Sequence, residues 1–152
     1  MSEPAKNSPA LEFFAKTMGR LHIALFRATS GRIGARMFGA DSLLLTTTGR
    51  KTGLARTTPL IYGRDGDDVI IVASFGGQPN HPAWYTNLVA NPRVKVELRG
   101  ETREVEARTA SPEERARLWP MMVKIYSGYE GYQKKTSREI PIVILSAPRA
   151  AQ

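Results

Sequence analysis

The stretch LLLTTTGRKTGLARTTPLIY, residues 43–62, predicts the element from which the rest of the fold can be built. An apolar, threonine-rich run reaches Gly49, and a second β-branched run begins near Arg56. Runs of this composition favour strands, and the short glycine-bounded link between them favours a hairpin. Pro59 lies inside the second run. Because proline cannot donate to a strand ladder, it predicts an edge strand or a bulge.

The turn of this hairpin, residues 49–53, carries two adjacent cations, and Arg56 follows at the start of the second strand. It is not a P-loop, because Arg50 stands where that motif has its second glycine and a strand follows instead of a helix. Two interpretations stay open. The cations either solvate an ordinary turn, or they form an anion clamp, in which Arg contacts phosphate in a planar bidentate way and Lys adds a point charge. Neighbouring hydroxyls for such a clamp come from Thr47, Thr48 and Thr57.

Composition limits the function classes. The chain has 152 residues, 41% of them apolar, which is the size of one compact domain with a substantial core. No cysteine is present, which excludes disulfides and a thiolate nucleophile, and two distant histidines predict no metal site. A net charge of +8 favours phosphates, nucleic acid, acidic lipids or an anionic cofactor as partners. The cations are dispersed and no nucleic-acid-reading motif occurs, so specific nucleic-acid binding is not predicted.

The remaining patterns predict an α+β fold. After a loose tail at 1–7, residues 8–29 form a basic amphipathic helix that Ser30 and Gly31 would end. Strands then cluster between residues 42 and 146, before a frayed tail at 147–152. About six mostly antiparallel strands with three or four helices favour a small barrel or roll.

The N-terminal helix has an apolar face and two open interpretations. It either packs on its own domain or lies on a membrane surface, and no signal peptide or membrane-spanning run is seen, so a cytoplasmic protein is expected. Its apolar face consists of Leu11, Phe14, Met18, Leu21 and Leu25.

Three further segments carry candidate chemistry. Ser74 ends a buried apolar strand and opens into a double glycine, which permits close approach of a planar ligand or an anion or is an ordinary strand exit. His81 and Pro82 open a short helix with Trp84 and Leu88 as core residues, and His81 is expected to cap it. Tyrosines at 126, 129 and 132 share a helical face, so their phenols either wall a flat pocket and donate protons or only pack on the barrel.

Taken together, these motifs resemble a known family. The stretch at 43–62, then VIIVASFGGQPNHPAWYTNLVANPRV, and then YSGYEGYQ before IPIVIL are similar to the deazaflavin-dependent nitroreductases of actinobacteria, and the likeness covers roughly residues 8–146. The resemblance implies a split β-barrel, as in oxidoreductases that bind flavin mononucleotide. It also implies hydride transfer from reduced coenzyme F420 to a quinone, an activated alkene or a nitro-aromatic compound.

Residue roles follow from the same resemblance. It implies that Ser74, Tyr126, Tyr129 and Tyr132 are catalytic or line the acceptor pocket, and that the N-terminal helix covers this pocket and associates with membranes in some members. Departures at Ile61 and Phe75 lie on the acceptor side, so nitro-reduction does not follow. A flavin mononucleotide or haem protein, a non-catalytic carrier and a homodimer stay open. The implied cofactor-binding residues are Thr48, Arg50, Lys51, Thr52, Arg56, Thr57, Pro59, Ser74, Phe75, Gly76, Gly77, Ala83, Trp84, Tyr85 and Asn87.

Overall fold

The predicted hairpin is present in the computed structural model, which describes residues 8–29 and 35–148. Its two strands pair antiparallel from Thr48 opposite Ala55 to Ser42 opposite Ile61. The second strand pairs with the first strand alone, and Pro59 lies within it, so the edge position predicted from this proline is confirmed.

Eight strands and four α-helices make up the described chain, with a short 3₁₀ turn at Phe75–Gly77. The helices are α1 (Pro9–Ala28), α2 (Ala83–Ala90), α3 (Pro112–Ile125) and α4 (Gly128–Lys135). The strands are β1 (Arg36–Met37), β2 (Ala40–Thr48), β3 (Ala55–Ile61), β4 (Gly63–Asp65), β5 (Asp68–Val72), β6 (Arg93–Leu98), β7 (Glu101–Thr109) and β8 (Ile142–Ser146).

The count of about six strands was short by two, β1 and β4. Each has only two or three residues, which is too short for an alternating pattern to reveal. Helix α1, Pro9–Ala28, lies within the range 8–29 predicted for it. The ending of α1 at Ser30 and Gly31 lies outside the described residues, as do the tails at 1–7 and 149–152.

The sheet is curled, and the chain passes directly from one of its edge strands to the other. Every strand pair is antiparallel, and the order is β1-β2-β6-β7-β8-β5-β4, with β3 added to β2. The edge strands β3 and β4 are consecutive, with only Tyr62 between them. The sheet therefore closes by chain continuity and not by a full hydrogen-bonded ladder, which is the split barrel that the family resemblance implied.

Two apolar cores lie on opposite faces of this sheet. Val69 and Ile71 of β5 point into the barrel, and Ile70 and Val72 point to the layer beneath α3 and α4. All four are buried, which confirms the prediction of a buried apolar strand before Ser74 and shows that it is covered on both faces. Helix α3 begins with a capping box, in which the Ser111 hydroxyl accepts the Glu114 amide at 3.2 Å and the Glu114 carboxylate accepts the Ser111 amide at 3.0 Å.

Helix α1 leaves part of its apolar face exposed. Its apolar residues Met18, Leu21 and Leu25 are 50%, 54% and 40% exposed, while Phe26 is buried. Arg27, from the opposite face, reaches the Glu97 carboxylate at 2.9 Å. These three residues therefore do not pack on the chain's own domain, which was one of the two interpretations of this face, and the contacts on the barrel are made by Phe26 and Arg27. Along the described chain, no helix is both long and apolar enough to cross a bilayer.

Candidate active site

The site begins where β5 ends. Three successive residues after Ser74 have left-handed backbone, with φ of 46° at Phe75, 61° at Gly76 and 78° at Gly77. For a non-glycine residue this conformation costs on the order of 1–3 kcal/mol and persists only where the surroundings hold it. A Cβ at Gly77 would lie 2.7 Å from the Tyr132 carbonyl oxygen. The close approach at Gly77 is therefore made by the backbone of α4, whereas one interpretation of the double glycine is room for a planar ligand or an anion.

Ser74 presents a hydroxyl to this site. The residue is 9% exposed, and its Oγ has no hydrogen-bond partner among the described residues. Its carbonyl oxygen, by contrast, accepts the Gly77 amide at 2.9 Å. Buried polar atoms are nearly always hydrogen-bonded, so the Ser74 hydroxyl is a candidate for hydrogen bonding to a ligand.

The three tyrosines form one cluster, although they do not share one helix. Tyr126 ends α3 with extended backbone, and Tyr129 and Tyr132 lie in α4. The Tyr126 ring is 5.1 Å from the Tyr129 ring at nearly a right angle, and the hydroxyls of Tyr126 and Tyr132 are 2.9 Å apart. A Cβ at Gly128 would lie 2.5 Å from the Tyr126 ring, so this glycine lets the chain fold the ring back over it.

The phenols of Tyr129 and Tyr132 are proton donors at neutral pH. The hydrogen bond with Tyr126, together with burial, raises the pKa of Tyr132 to about 12. Burial also raises the pKa of Tyr129. Both groups therefore keep their protons through the neutral range and can donate a hydrogen bond or a proton to a bound oxygen.

Helix α2 contributes a second wall. Trp84 is buried and Ala83 is exposed, and both face the same cavity as Ser74. Tyr85 turns away, with its hydroxyl 2.9 Å from the Thr109 hydroxyl. The N-cap is Pro82, so the expectation that His81 caps α2 is wrong. The His81 Nδ1 instead lies 3.1 Å from Nη1 of Arg138, where burial and this cation lower the pKa of His81.

A cavity of 460 Å³ brings most of these groups together. The predicted residues that line it are Ser74, Phe75, Gly76, Ala83, Trp84, Tyr126, Tyr129 and Tyr132. Ile61, singled out as a departure from the family pattern, lines it too. The lining residues that the sequence did not suggest are Lys16, Met37, Phe38, Thr58, Leu60, Val72 and Pro82.

Some of the missed residues left a signal in the sequence and others did not. Thr58 and Leu60 are two residues apart on β3, so they lie on the same face of this edge strand. Following the alternation of side chains along the strand would therefore have identified them. Phe38, 75% exposed, stacks on Tyr126 with ring centroids 5.8 Å apart, and Lys16 comes from α1. Both depend on how distant segments fold together, which no local pattern encodes.

The basic turn lies beside this cavity and not in it. Asn87 Oδ1 accepts the Arg50 amide at 3.1 Å and the Arg50 guanidinium at 3.2 Å, which ties the turn to α2. Lys51 and Arg56 are exposed, and neither has a carboxylate partner in the part of the chain that the structure describes. The predicted residues outside the lining are Thr48, Arg50, Lys51, Thr52, Arg56, Thr57, Pro59, Gly77, Tyr85 and Asn87.

Strand β3 links the two regions. Arg56 stands two residues before Thr58, a separation of about 7 Å along an extended strand. The Thr57 hydroxyl, on the alternate face, lies 2.9 Å from the Thr46 hydroxyl. Arg56 and the cavity therefore follow one another along β3, and Lys51 lies in the turn before this strand. This arrangement suits an elongated molecule with an anionic end and a flat end.

Comparison with solved structures defines the class of protein. The chain superimposes on an F420-H2-dependent reductase with a TM-score of 0.64 and 40% identity, covering 69% of this chain and 93% of that one. A second solved chain, described as a domain-swapped dimer, gives a TM-score of 0.67 at 35% identity, over 91% of this chain and all of that one. The haem storage protein HutZ of Vibrio cholerae, at 13% identity and a TM-score of 0.54, shares the fold alone. The fold is that of the split-barrel F420-dependent reductases.

Sequence comparison gives the family. The model for F420H(2)-dependent quinone reductases matches residues 17–147, and the chain belongs to this family. An F420H(2)-dependent quinone reductase of Mycobacterium tuberculosis H37Rv is 49% identical over 131 residues, covering 84% of this chain and 88% of the relative. The chain is therefore an F420-dependent oxidoreductase, and coenzyme F420 is its cofactor.

Proposed function

We propose that the chain transfers a hydride from reduced coenzyme F420 to a quinone in the 460 Å³ cavity between Ser74 and the tyrosine cluster. The observation that carries this proposal is that one cavity is lined both by a buried serine hydroxyl, which has no partner among the described residues, and by the phenols of Tyr129 and Tyr132, which stay protonated. Hydride transfer to a quinone needs such donors at the oxygen where negative charge develops.

The residues present fit the cofactor. Gly76 lines the cavity, and a Cβ added there would meet nothing within 4 Å, so a flat ring system can lie against this backbone. Lys51 and Arg56 are exposed cations suited to the cofactor's phosphate and glutamate tail. Asn87 would hold the turn in position by binding Arg50. Bound there, the reduced deazaflavin supplies the hydride, and the protein supplies position and charge stabilisation.

The chain's own groups divide the remaining work. Ser74 would fix the orientation of the ring or of the acceptor by donating a hydrogen bond from its free hydroxyl. In the Tyr126–Tyr132 pair, one hydroxyl donates to the other, which leaves the second hydrogen free for the acceptor oxygen. That hydroxyl would stabilise the developing oxyanion and then protonate it.

Lys16 adds the one formal charge among the residues lining this cavity. An ammonium group facing an otherwise apolar and hydroxyl-lined space favours negative charge on a bound quinone oxygen, and therefore favours its reduction. Its position on α1 supports a role for this helix in covering the acceptor. Ile61 and Phe75, at which the chain departs from the family pattern, also line the cavity, so reduction of nitro-aromatic compounds does not follow from the resemblance.

Titration of the purified protein with F420, flavin mononucleotide and haem tests the cofactor. We expect F420 to bind and the other two to bind weakly or not at all. Oxidation of the reduced cofactor is then followed spectroscopically with 2-methyl-1,4-naphthoquinone, cyclohexenone and a nitroimidazole. Binding of F420 without oxidation by any acceptor would favour a carrier, and turnover of only the nitro compound would remove the quinone assignment.

Tyrosine variants test the proton donors. Tyr126→Phe and Tyr132→Phe should each lower kcat by roughly 100-fold, in the range of general acid catalysis, with little change in F420 affinity. Tyr62→Phe is the matched control, because Tyr62 is buried in the barrel core and does not line the cavity. Equal kcat in all three variants would assign the cluster to packing.

We also propose that a second copy of this chain covers the outward apolar face of α1, formed by Met18, Leu21 and Leu25. The solved relative described as a domain-swapped dimer supports this, since it matches 91% of the chain. Light scattering should give twice the monomer mass, and Leu21→Glu with Leu25→Glu should give a monomer. A monomeric wild type that sediments with anionic vesicles would instead favour the membrane interpretation.

A further inference from the structure

The guanidinium of Arg138, in the loop between α4 and β8, contacts the turn that carries Ser74. Its Nε donates to the Gln78 carbonyl at 3.0 Å, Nη1 to the Ala73 carbonyl at 3.2 Å, and Nη2 to the Ser74 carbonyl at 2.8 Å. A planar fork with donors on three nitrogens can reach this set at once, whereas an ammonium has its three donors on a single nitrogen.

These carbonyls lie on both sides of the left-handed segment. Ala73 and Ser74 precede it, and Gln78 follows it, so the fork spans the three residues with positive φ. Phe75 at φ 46° is the residue that needs such support, because it has no glycine freedom. Arg138 is therefore placed to hold the turn in a conformation that the local sequence does not favour by itself.

The main chain of Arg138 is held by a residue of α4. Gln133 Nε2 donates to the Arg138 carbonyl at 2.8 Å, and Gln133 Oε1 accepts the Ile140 amide at 2.9 Å. Helix α4 also carries Tyr132, whose hydroxyl bonds to Tyr126. Arg138 thus connects the helix that positions the phenols with the turn that positions the serine.

A stabilising ion pair does not explain this residue. Within residues 8–29 and 35–148, no carboxylate lies within ion-pair distance of Arg138, and burial lowers the pKa of its guanidinium. A partly buried cation without a counterion is costly unless its donors are used. Here the donors are used on backbone carbonyls at the edge of the cavity.

We infer that Arg138 is a positioning residue for hydride transfer, which sets the Ser74 hydroxyl against the tyrosine cluster by clamping the turn from Ala73 to Gln78. The inference rests on the proposed function, in which Ser74 orients the ring or the acceptor. It assigns no contact between Arg138 and substrate. Its effect on the reaction passes through the backbone of the turn.

The test uses Arg138→Ala and Arg138→Lys in the assay with reduced F420 and 2-methyl-1,4-naphthoquinone. Each should lower kcat by roughly 100-fold, the loss typical of a reacting geometry displaced by about 1 Å. The F420 Kd should change far less, because the cations proposed to bind the cofactor tail lie on the β2–β3 hairpin and not on this turn. Arg117→Ala is the control, since Arg117 is exposed and pairs with Asp65 at 3.0 Å, outside both the cavity lining and the turn.

Chemical rescue separates positioning from general stability. Arg138 lines a surface cavity of 270 Å³ with Trp119 and Glu139, so a small solute can reach the space left by Arg138→Ala. Guanidinium chloride, below its denaturing concentration, should restore part of the lost kcat, and sodium chloride at equal ionic strength should not. The wild type should not gain activity from either salt.

The outcomes are distinct. An inactive wild type would overturn the proposed function and, with it, any role of Arg138 in hydride transfer. An active wild type with equally active Arg138→Ala would overturn the inference, as would full activity in Arg138→Lys, since charge alone would then suffice. Loss of folded circular dichroism in both variants would assign Arg138 to the stability of the whole domain and would also overturn it.

Discussion

Replacing Lys51 and Arg56 together with alanine should weaken F420 binding by roughly 100-fold and leave the fold almost unchanged. A hydrogen bond to a charged group contributes about 1.5–3 kcal/mol. Both side chains are exposed, so the lower value applies to each, which gives about 3 kcal/mol for the pair. At about 1.4 kcal/mol for each factor of ten, this corresponds to about two decades in Kd.

Stability should respond much less. Neither side chain has a carboxylate partner among the described residues, and surface substitutions of this kind usually change the free energy of unfolding by less than about 0.5 kcal/mol each. For a domain of this size, the two changes together should shift Tm by no more than about 2–4 °C. The ratio of the two effects, and not either one alone, distinguishes an anion clamp from charges that solvate a turn.

The assay is a fluorescence titration with F420 and with a deazaflavin that lacks the phosphate and glutamate tail. The variant should lose affinity for F420 and keep its affinity for the tailless molecule. A second variant, Arg117→Ala with Lys124→Ala, removes one arginine and one lysine from α3 instead. Like the first variant, it takes the formal net charge from +8 to +6 (8 − 2). Comparable losses for both ligands, or in both variants, would refute the clamp and leave only a general charge effect.

Three further predictions test the structure around the site. Asn87→Ala should lower the free energy of unfolding by about 2–4 kcal/mol, because it removes the side chain that ties the basic turn to α2, and Asn87→Asp should retain most of that stability in chemical denaturation. Gly77→Ala should lower the free energy of unfolding by about 2–4 kcal/mol and also lower kcat, since the φ of Gly77 is 78° and the added Cβ meets the Tyr132 carbonyl at 2.7 Å. Gly131→Ala, where the added Cβ meets nothing within 4 Å, should instead stabilise α4 by about 0.5–1 kcal/mol. The folded-state pKa of Tyr132 is raised to about 12, and that of Tyr129 is raised too, so their contribution to stability is complete below about pH 10 and is lost as pH rises through about 12. Tm should therefore stay level to about pH 9 and fall above about pH 10, and a decline that begins near neutral pH would contradict this assignment.

Local patterns in the sequence were sufficient for most of the elements. The hairpin follows from two β-branched runs around a glycine turn, and the start of α3 follows from a serine cap with Glu114 three residues later. The alternation in β6 and β7 and the doubly buried β5 were also visible, since burial on one face or on both has a direct compositional signature. The order of these elements and the three motifs together were enough to indicate the family, which the match over residues 17–147 confirms.

Tertiary packing decided the rest. Whether β3 and β4 meet, which face of α1 turns outward, and whether Tyr126 joins Tyr132 at 2.9 Å all depend on contacts between segments far apart in the chain. The cavity, with Lys16 in its lining, exists only once those contacts form. Periodicity reports how each segment divides between water and apolar surroundings, but it carries no information about which partner covers it. Arg138 illustrates this limit: in the sequence it is one of 22 basic residues, and only the fold brings its guanidinium to the three carbonyls around Ser74.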